Sequence, residues 1–264
     1  MIKTKVLLFG GLGNILFQVS RALEHERQGR TVEVIKIGAI KNILYKLSNF
    51  TIHDMWLDEE IILQDLNIKH RNANFLEIAL IGLCFILRRF HLYPFFDMPI
   101  NDNRLNNSKN ILLYLDIGYF QNIKNVSKKT LKLVAVSLNK LLKNQANNIP
   151  SFSFAFHIRG GDFTDNMRLS QSDISKAEDF ATINNLAITF ITNDKIYANK
   201  LMANISNASH FNGNSAREDF IALCKAKNLF ISNSTFGFWS ALCAKELFLE
   251  DLILPENFDL ESLI

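Results

Sequence analysis

A chain of 264 residues that is 48% hydrophobic has enough apolar surface for one large α/β domain or two smaller ones. With 21% charged residues, 11 Gly and 4 Pro, it has the composition neither of a disordered segment nor of a collagen-like or linker-dominated protein. The net charge of +3 hides a division: residues 1–150 carry 20 Lys/Arg against 12 Asp/Glu, and residues 151–264 carry 9 against 14, so one half is net +8 and the other −5. The basic half asks for an anionic partner such as phosphates or a membrane surface, whereas no clustered basic helix or stacking motif points to nucleic acid.

In chain order, Lys5–Phe9 is a short apolar strand, Gly10–Asn14 a glycine-rich turn, and Ile15–Gln28 a helix with apolar residues at Ile15, Leu16, Val19, Ala22 and Leu23. Lys3 and Lys5 before Val6–Phe9 mimic a signal peptide. Gly10, Gly11 and Gly13 interrupt the apolar run and no small-x-small cleavage site follows, so the segment reads as structure rather than as an export signal. Thr31–Ile37 alternates apolar and polar residues as a second strand, which completes a βαβ unit and predicts a parallel sheet.

Phe75–Leu87 is strongly apolar over 13 residues, short of the roughly 20 that cross a bilayer. It is either a buried helix with a basic end or, with Arg88, Arg89, Phe90, Leu92, Tyr93, Phe95 and Phe96, a flank lying on an anionic membrane. Leu131–Leu142 reads as a helix and Lys143–Ser151 as a linker. Strand and helix then alternate again: strands Phe152–His157 and Ile188–Thr192, helix Ala216–Lys225, strand Leu229–Ser232 and helix Phe236–Ala244. Cys84, Cys224 and Cys243 are too few and too scattered for a zinc site or a disulfide framework, which fits a reducing compartment.

Three segments carry chemistry. Gly10-Gly11-Leu12-Gly13-Asn14 joins a strand to a helix, where glycines allow close approach of the backbone and the helix start favours an anion. Against G-x-G-x-x-G it fits at Gly11 and Gly13, but Leu16 holds the third glycine position and Glu33 lies within the second strand; an ordinary tight turn is the alternative. His157-Ile158-Arg159-Gly160-Gly161-Asp162 brings to a strand end a guanidinium fork suited to two phosphate oxygens, or else forms a salt-bridged surface turn. Ile231-Ser232-Asn233-Ser234-Thr235-Phe236-Gly237-Phe238-Trp239 places small hydroxyl residues at a helix start. That segment is an anion site or a helix cap with its aromatics in the core.

Together and in this order, GGLGNILFQ (Gly10–Gln18), HIRGGD (His157–Asp162) and ISNSTFGFW (Ile231–Trp239) resemble segments of the α-1,2-fucosyltransferases, glycosyltransferase family 11. That family opens with G-G-L-G-N-Q-M-F-Q, carries H-x-R-R-x-D in mid-chain, and closes with a segment like I-S-N-S-S-F-S-W-W. Gly118-Tyr119-Phe120-Gln121 is similar to its G-Y-[WF]-Q, and Glu218–Lys225 to its E-D-x-x-L-M-x-x-C-K. The resemblance implies an α/β, GT-B-like fold of two Rossmann-type lobes with a cleft between them: residues 1–147 on the acceptor side and 148–264 binding the GDP-sugar. It implies GDP-fucose as donor, a galactose-containing acceptor, inversion at the fucose anomeric carbon, and no metal or other cofactor. The composition suits bacterial surface-polysaccharide assembly of the O-antigen or lipopolysaccharide kind. A cytoplasmic enzyme is expected, working on a lipid-linked oligosaccharide at the inner membrane face, where its basic half contacts anionic lipid.

By the same resemblance, His157 and Arg159 contact GDP; Ser234, Thr235 and Phe236 close around its phosphates and base; and Gly11, Gly13 and Asn14 line the cleft from the first lobe. Arg159 is the expected catalytic cation, with Asp162 or Asp116 as the carboxylate that takes the hydroxyl proton. The chain departs from the family at Gly160, where a second arginine is usual, at Ile15 in place of Gln, and at Phe238 in place of Trp. Arg168 is a candidate replacement for the lost charge. Another GDP-deoxyhexose as donor, a GDP-binding protein with weakened catalysis, and a dinucleotide-dependent oxidoreductase are the competing readings, the last disfavoured by the incomplete glycine pattern.

Overall fold

The structure, a computed structural model, describes residues 3–37, 59–89, 115–116, 126–143, 148–159, 169–203, 205, 207–211, 213, 215–247 and 249–255. It divides into two compact units, Met1–Val134 and Ala135–Ile264. The division falls inside a helix, and the boundary expected at residues 147 and 148 lies just beyond that helix's end.

The first unit is a parallel sheet of β1 (Lys3–Leu8), β2 (Thr31–Lys36), β3 (His70–Asn72) and β4 (Leu115–Asp116) in the order β3-β2-β1-β4. Helix α1 (Leu12–Arg27) crosses from β1 to β2 and buries Ile15, Leu16, Val19, Ala22 and Leu23, the stripe expected from the sequence. It begins three residues earlier than expected. Gly11 takes the extended N-cap conformation, so Gly13 and Asn14 belong to the first helical turn. Between β2 and β4 lie α2 (Glu59–Asp65) and α3 (Phe75–Arg89). No described helix is long and apolar enough to cross a membrane.

Charges tie α3 to the sheet. Arg71 on β3 donates to both carboxylate oxygens of Glu77, at 2.6 and 2.7 Å, and its Nε lies 3.2 Å from Glu33 of β2. Lys5 of β1 adds a 2.6 Å bond to Glu77, and the Asn74 N–H donates to the same carboxylate at 2.9 Å. The Arg71 hydrogen bonds, then that of Lys5, hold the Glu77 carboxyl well below the usual carboxylate range although burial opposes them. Glu33 and, through a 2.8 Å bond to Glu60, Lys36 are charged positions of a strand that the sequence reads as alternating, and both are paired. At the start of α4 (Lys128–Lys143), Glu24 of α1 plays a similar part, accepting from the Ser127 N–H and hydroxyl and from the Thr130 hydroxyl.

The second unit is a five-stranded parallel sheet of β5 (Phe154–Ile158), β6 (Ile188–Thr192), β7 (Ala208–His210), β8 (Asn228–Phe230) and β9 (Asp251–Ile253), ordered β7-β6-β5-β8-β9. Helices α5 (Gln171–Ile183), α6 (Lys195–Met202), α7 (Ala216–Cys224) and α8 (Thr235–Lys245) connect the strands in turn. Each starts on a side-chain cap: Ser170 with a reciprocal bond from Asp173, then Asp194, Ser215 and Ser234. Asn67, Asn185 and Asn207 hold left-handed backbone at bends that follow α2, follow α5 and precede β7, one use for the many asparagines.

The alternation of β5 sorts its side chains. Phe154, Phe156 and Ile158 enter an apolar core, where Phe156 stands in register between Phe190 of β6 and Phe230 of β8, with ring centroids 5.0 and 4.5 Å apart. His157 points to the other face, towards α8. Among the described residues both expectations of parallel strand-helix alternation hold, one for each unit.

Candidate functional site

In the second unit the chain moves outward from β5 through β6 and β7, then returns to the opposite side of β5 with β8 and β9. Connections diverge at that reversal, which in open parallel sheets marks a crevice outside the carboxyl ends of the strands, here β5 and β8, where ligands are taken. Two of the three chemical segments end there: β5 delivers His157 and Arg159, and β8 runs into Ile231–Ser234 and the start of α8.

Their joining is specific. β5 and β8 pair from Phe154↔Asn228 to Phe156↔Phe230, and beyond the last pair the Ser232 N–H donates to the His157 carbonyl at 3.2 Å. The Arg159 N–H then finds the Ser232 hydroxyl at 3.1 Å, so a side-chain oxygen takes the place of the next ladder carbonyl. The same hydroxyl lies 3.1 Å from His157 Nδ1. Phe236 leans on the His157 ring with centroids 5.7 Å apart, and Phe220 of α7 packs edge-on against Phe236 at 5.2 Å. Gly237 completes the contact: a Cβ there would sit 2.9 Å from His157 Nδ1 and 3.2 Å from the Ser232 carbonyl, so only glycine lets α8 approach this closely.

Burial first, and the charge of Arg159 second, push the His157 pKa down to about 3, so the imidazole is neutral at physiological pH. Arg159 is half-buried with its charge near His157, and it and the start of α8 are positive features at this end of the sheet among the described residues. Ser234 caps α8, accepting from the Gly237 N–H at 3.0 Å, and its hydroxyl hydrogen remains a donor. Asn233 is exposed and Ser234, Thr235 and Phe236 are half-buried, whereas Phe238 and Trp239 are core residues in T-shaped contact at 5.4 Å. The Phe238 departure from the family pattern is therefore a matter of packing. Next to Phe220, burial followed by the neighbouring Glu218 raises the Asp219 carboxyl to about 6.

The first unit repeats the design. Its order β3-β2-β1-β4 reverses between β1 and β4, and Gly10–Asn14 follows β1 at that point. Gly10 adopts φ +90°, which only glycine holds without strain, and lets the chain turn from β1 into α1. Gln18, fully buried one and a half turns into the helix, accepts from the Phe9 N–H at 3.0 Å and donates to the Phe9 carbonyl at 3.1 Å. This double bond of one side chain to one residue's backbone fixes the turn, so Gln18 shapes the glycine segment without being exposed in it.

Of the expected site residues, His157, Arg159, Ser234, Thr235 and Phe236 come together in the second unit, and Gly11, Gly13 and Asn14 in the first, with Gly11 as cap and the other two in the helix. Asp116 ends β4, beside the reversal point of its sheet. Asp162, Gly160 and Arg168 lie outside the described residues, as do Arg88 and Arg89 beyond their backbone. Sequence reasoning passed over Gln18, Ser232 and Gly237, all within the quoted segments: Ser232 and Gly237 meet His157 from about 75 to 80 positions away, and Gln18 folds back on Phe9 across the turn. Among the described residues no three His, Cys, Asp or Glu side chains group as a metal site.

Compared by sequence with curated proteins, the chain has no significant match. Among solved structures, fucosyltransferase NodZ from Bradyrhizobium is similar at TM-score 0.47 and 13% identity over 98% of this chain and 95% of its own. NodZ α-1,6-fucosyltransferase with GDP gives 0.45 and 12% over 90% and 91%, and the E. coli heptosyltransferase WaaC with ADP gives 0.44 and 8% over 99% and 90%. The model of "Glycosyl transferase family 11" matches residues 4–247, and the chain belongs to that family, the fucosyltransferase family its motifs resemble.

Proposed function

We propose that the chain transfers L-fucose from GDP-fucose to the 2-hydroxyl of a galactose residue in a bacterial surface-glycan precursor, with inversion. The observation that carries the reading is the meeting of His157 and Arg159 with the Ser232–Phe236 turn at the strand reversal of the second unit, in a chain of this family. The second unit then holds the nucleotide and the first the acceptor, with Gly11, Gly13 and Asn14 as the first unit's contribution. The enzyme works in the cytoplasm on a lipid-linked oligosaccharide, its basic half against anionic lipid.

The reaction is a single displacement. The acceptor oxygen forms a bond to the fucose anomeric carbon as the bond to the diphosphate oxygen breaks; the electron pair leaves with GDP, and the hydroxyl proton passes to a carboxylate, Asp162 or Asp116. Arg159 and the α8 N-terminus meet the charge that grows on the diphosphate, where such stabilisation acts on the transition state more than on the bound substrate. No metal takes part, so activity is expected to survive exhaustive dialysis against EDTA.

A screen of GDP-sugars against galactosides, with product linkage read by NMR, tests the reading; fucose on the galactose 2-hydroxyl is expected, and another donor or linkage overturns it. Arg159→Ala is expected to lower kcat/KM by about 10² to 10³. The reading of a GDP-binding protein with weakened catalysis is favoured by Gly160 standing where the family has a second arginine, and GDP binding without turnover on any acceptor would select it.

A further inference from the structure

The Ser232 hydroxyl sits between two groups, the Arg159 N–H at 3.1 Å and His157 Nδ1 at 3.1 Å. The amide has only a hydrogen to give, so the oxygen accepts from it. Two arrangements remain for the other contact. If Nδ1 carried the ring hydrogen, the oxygen would accept twice, and its own hydrogen would need a further acceptor. Ser232 is 1% exposed, and among the described residues its hydroxyl meets no third polar group. A buried hydroxyl hydrogen without an acceptor costs about 1–3 kcal/mol. If the hydroxyl donates to Nδ1 instead, the hydroxyl and Nδ1 are both satisfied: the oxygen accepts once and donates once, and the ring hydrogen resides on Nε2, which hydrogen-bonds to none of the described residues.

The ring has little freedom to choose otherwise. Gly237 lies so close to Nδ1 that an added Cβ would come within 2.9 Å of it, Phe236 covers the ring, and His157 itself is only 4% exposed. Protonation of both nitrogens would reverse the hydroxyl and place a second positive charge beside Arg159, inside a buried site.

We propose that Ser232 is a positioning residue that fixes His157 as the Nε2–H tautomer, so that the imidazole serves as a charge-free hydrogen-bond donor to an oxygen of the nucleotide diphosphate and not as the base of the reaction. The identity of that ligand rests on the function proposed above; the tautomer does not. A nitrogen already bearing hydrogen cannot remove a proton from the acceptor hydroxyl, so the base must be sought among the carboxylates. The device also joins two of the family's segments through one oxygen. The serine that sets the histidine's tautomer sets the amide that begins the arginine's turn.

Long-range 1H–15N correlation spectra of the 15N-labelled full chain, with the His157 signals assigned by their loss in His157→Gln, read the tautomer directly. The expected result is hydrogen on Nε2 and a bare Nδ1 across pH 5.5 to 8. Hydrogen on Nδ1, or an imidazolium in that range, overturns the proposal whether or not any variant folds. Ser232→Ala is expected to give mixed tautomers and a roughly tenfold weaker affinity for GDP, with Ser232→Thr restoring both. An Ala variant that keeps the single tautomer and the parent's GDP affinity also overturns it. If the parent chain binds no GDP while the Nε2–H tautomer is found, the nucleotide reading fails and the positioning role stands; GDP binding with hydrogen on Nδ1 gives the reverse.

Discussion

His157 and Asp219 are perturbed mainly by the same cause, burial, and respond to pH with opposite sign. His157 has its pKa depressed from 6.5 to about 3, so between those values the unfolded chain holds a proton that the native state refuses, and stability falls as pH drops through that window. His157→Gln removes this penalty; its Tm is expected to fall less than the parent's between pH 7 and pH 4, in parallel thermal melts. Asp219 has its pKa raised from 3.8 to about 6, so the native state holds the proton there and stability falls as pH rises from about 4 to 6. Asp219→Asn is therefore expected to raise Tm at pH 7.5 and to change it little at pH 4. Gln18 is the third residue whose chemistry is local. Gln18→Ala removes both bonds to the Phe9 backbone, and a loss of about 2 kcal/mol in urea unfolding is expected, with the glycine turn as the segment that loosens.

At the scale of elements, the charge cluster and the caps do different work. Glu77 ties α3 to three strands through Arg71, Lys5 and, by way of Arg71, Glu33. Glu77→Gln leaves two cations competing for one neutral oxygen, and is expected to cost about 2 kcal/mol in chemical unfolding without changing GDP affinity. Ser234→Ala removes the cap of α8, about 1 kcal/mol, but is expected to weaken GDP binding as well, because the cap lies at the crevice. Much of this was open to the sequence. The β1-α1-β2 opening, β5, β6, α7 and α8 follow from apolar periodicity and from glycine and serine punctuation. β3, β7 and β9 did not: they are three residues long and only partly buried, whereas β8, equally short, is wholly buried and continues into the apolar Ile231. Helix α5 was missed for another reason: its apolar stripe of Ile174, Ala177 and Ala181 is thin, although Ser170 and Asp173 form a capping box that marks its start. The site residues were legible as segments, whereas the bridging role of Ser232 was not, because its partners lie about 75 positions away.

For the whole molecule, the two units share one plan: a first strand whose carboxyl end leads into a segment of the family pattern and a sheet whose order reverses beside that strand. Hydrogen exchange with and without GDP tests how the labour is divided. Protection is expected at Arg159 and in Ser232–Phe238, with residues 10–14 responding only when an acceptor is present as well; equal protection of both units by GDP alone would contradict the assignment of donor and acceptor sides. The charge contrast gains meaning on this view. On the proposed reading a nucleotide enters the acidic half of the chain beside a neutral histidine, and among the described residues Arg159 and one helix terminus supply positive potential there.

The row of Phe190, Phe156 and Phe230 has a consequence for how errors in folding are prevented. On β5 the residue after Phe156 is His157, so a slip of the strand by one position against its neighbours would exchange the two, thrusting an imidazole among phenyl rings and a phenyl ring into the crevice. Both halves of that exchange are costly: the polar ring would lose Ser232, and the aromatic row would lose its middle member. The hydrophobic side of the sheet thus acts as a proofreader for the polar side, and enlarging or shrinking Phe156 should be felt first as catalytic misalignment, before any loss of fold.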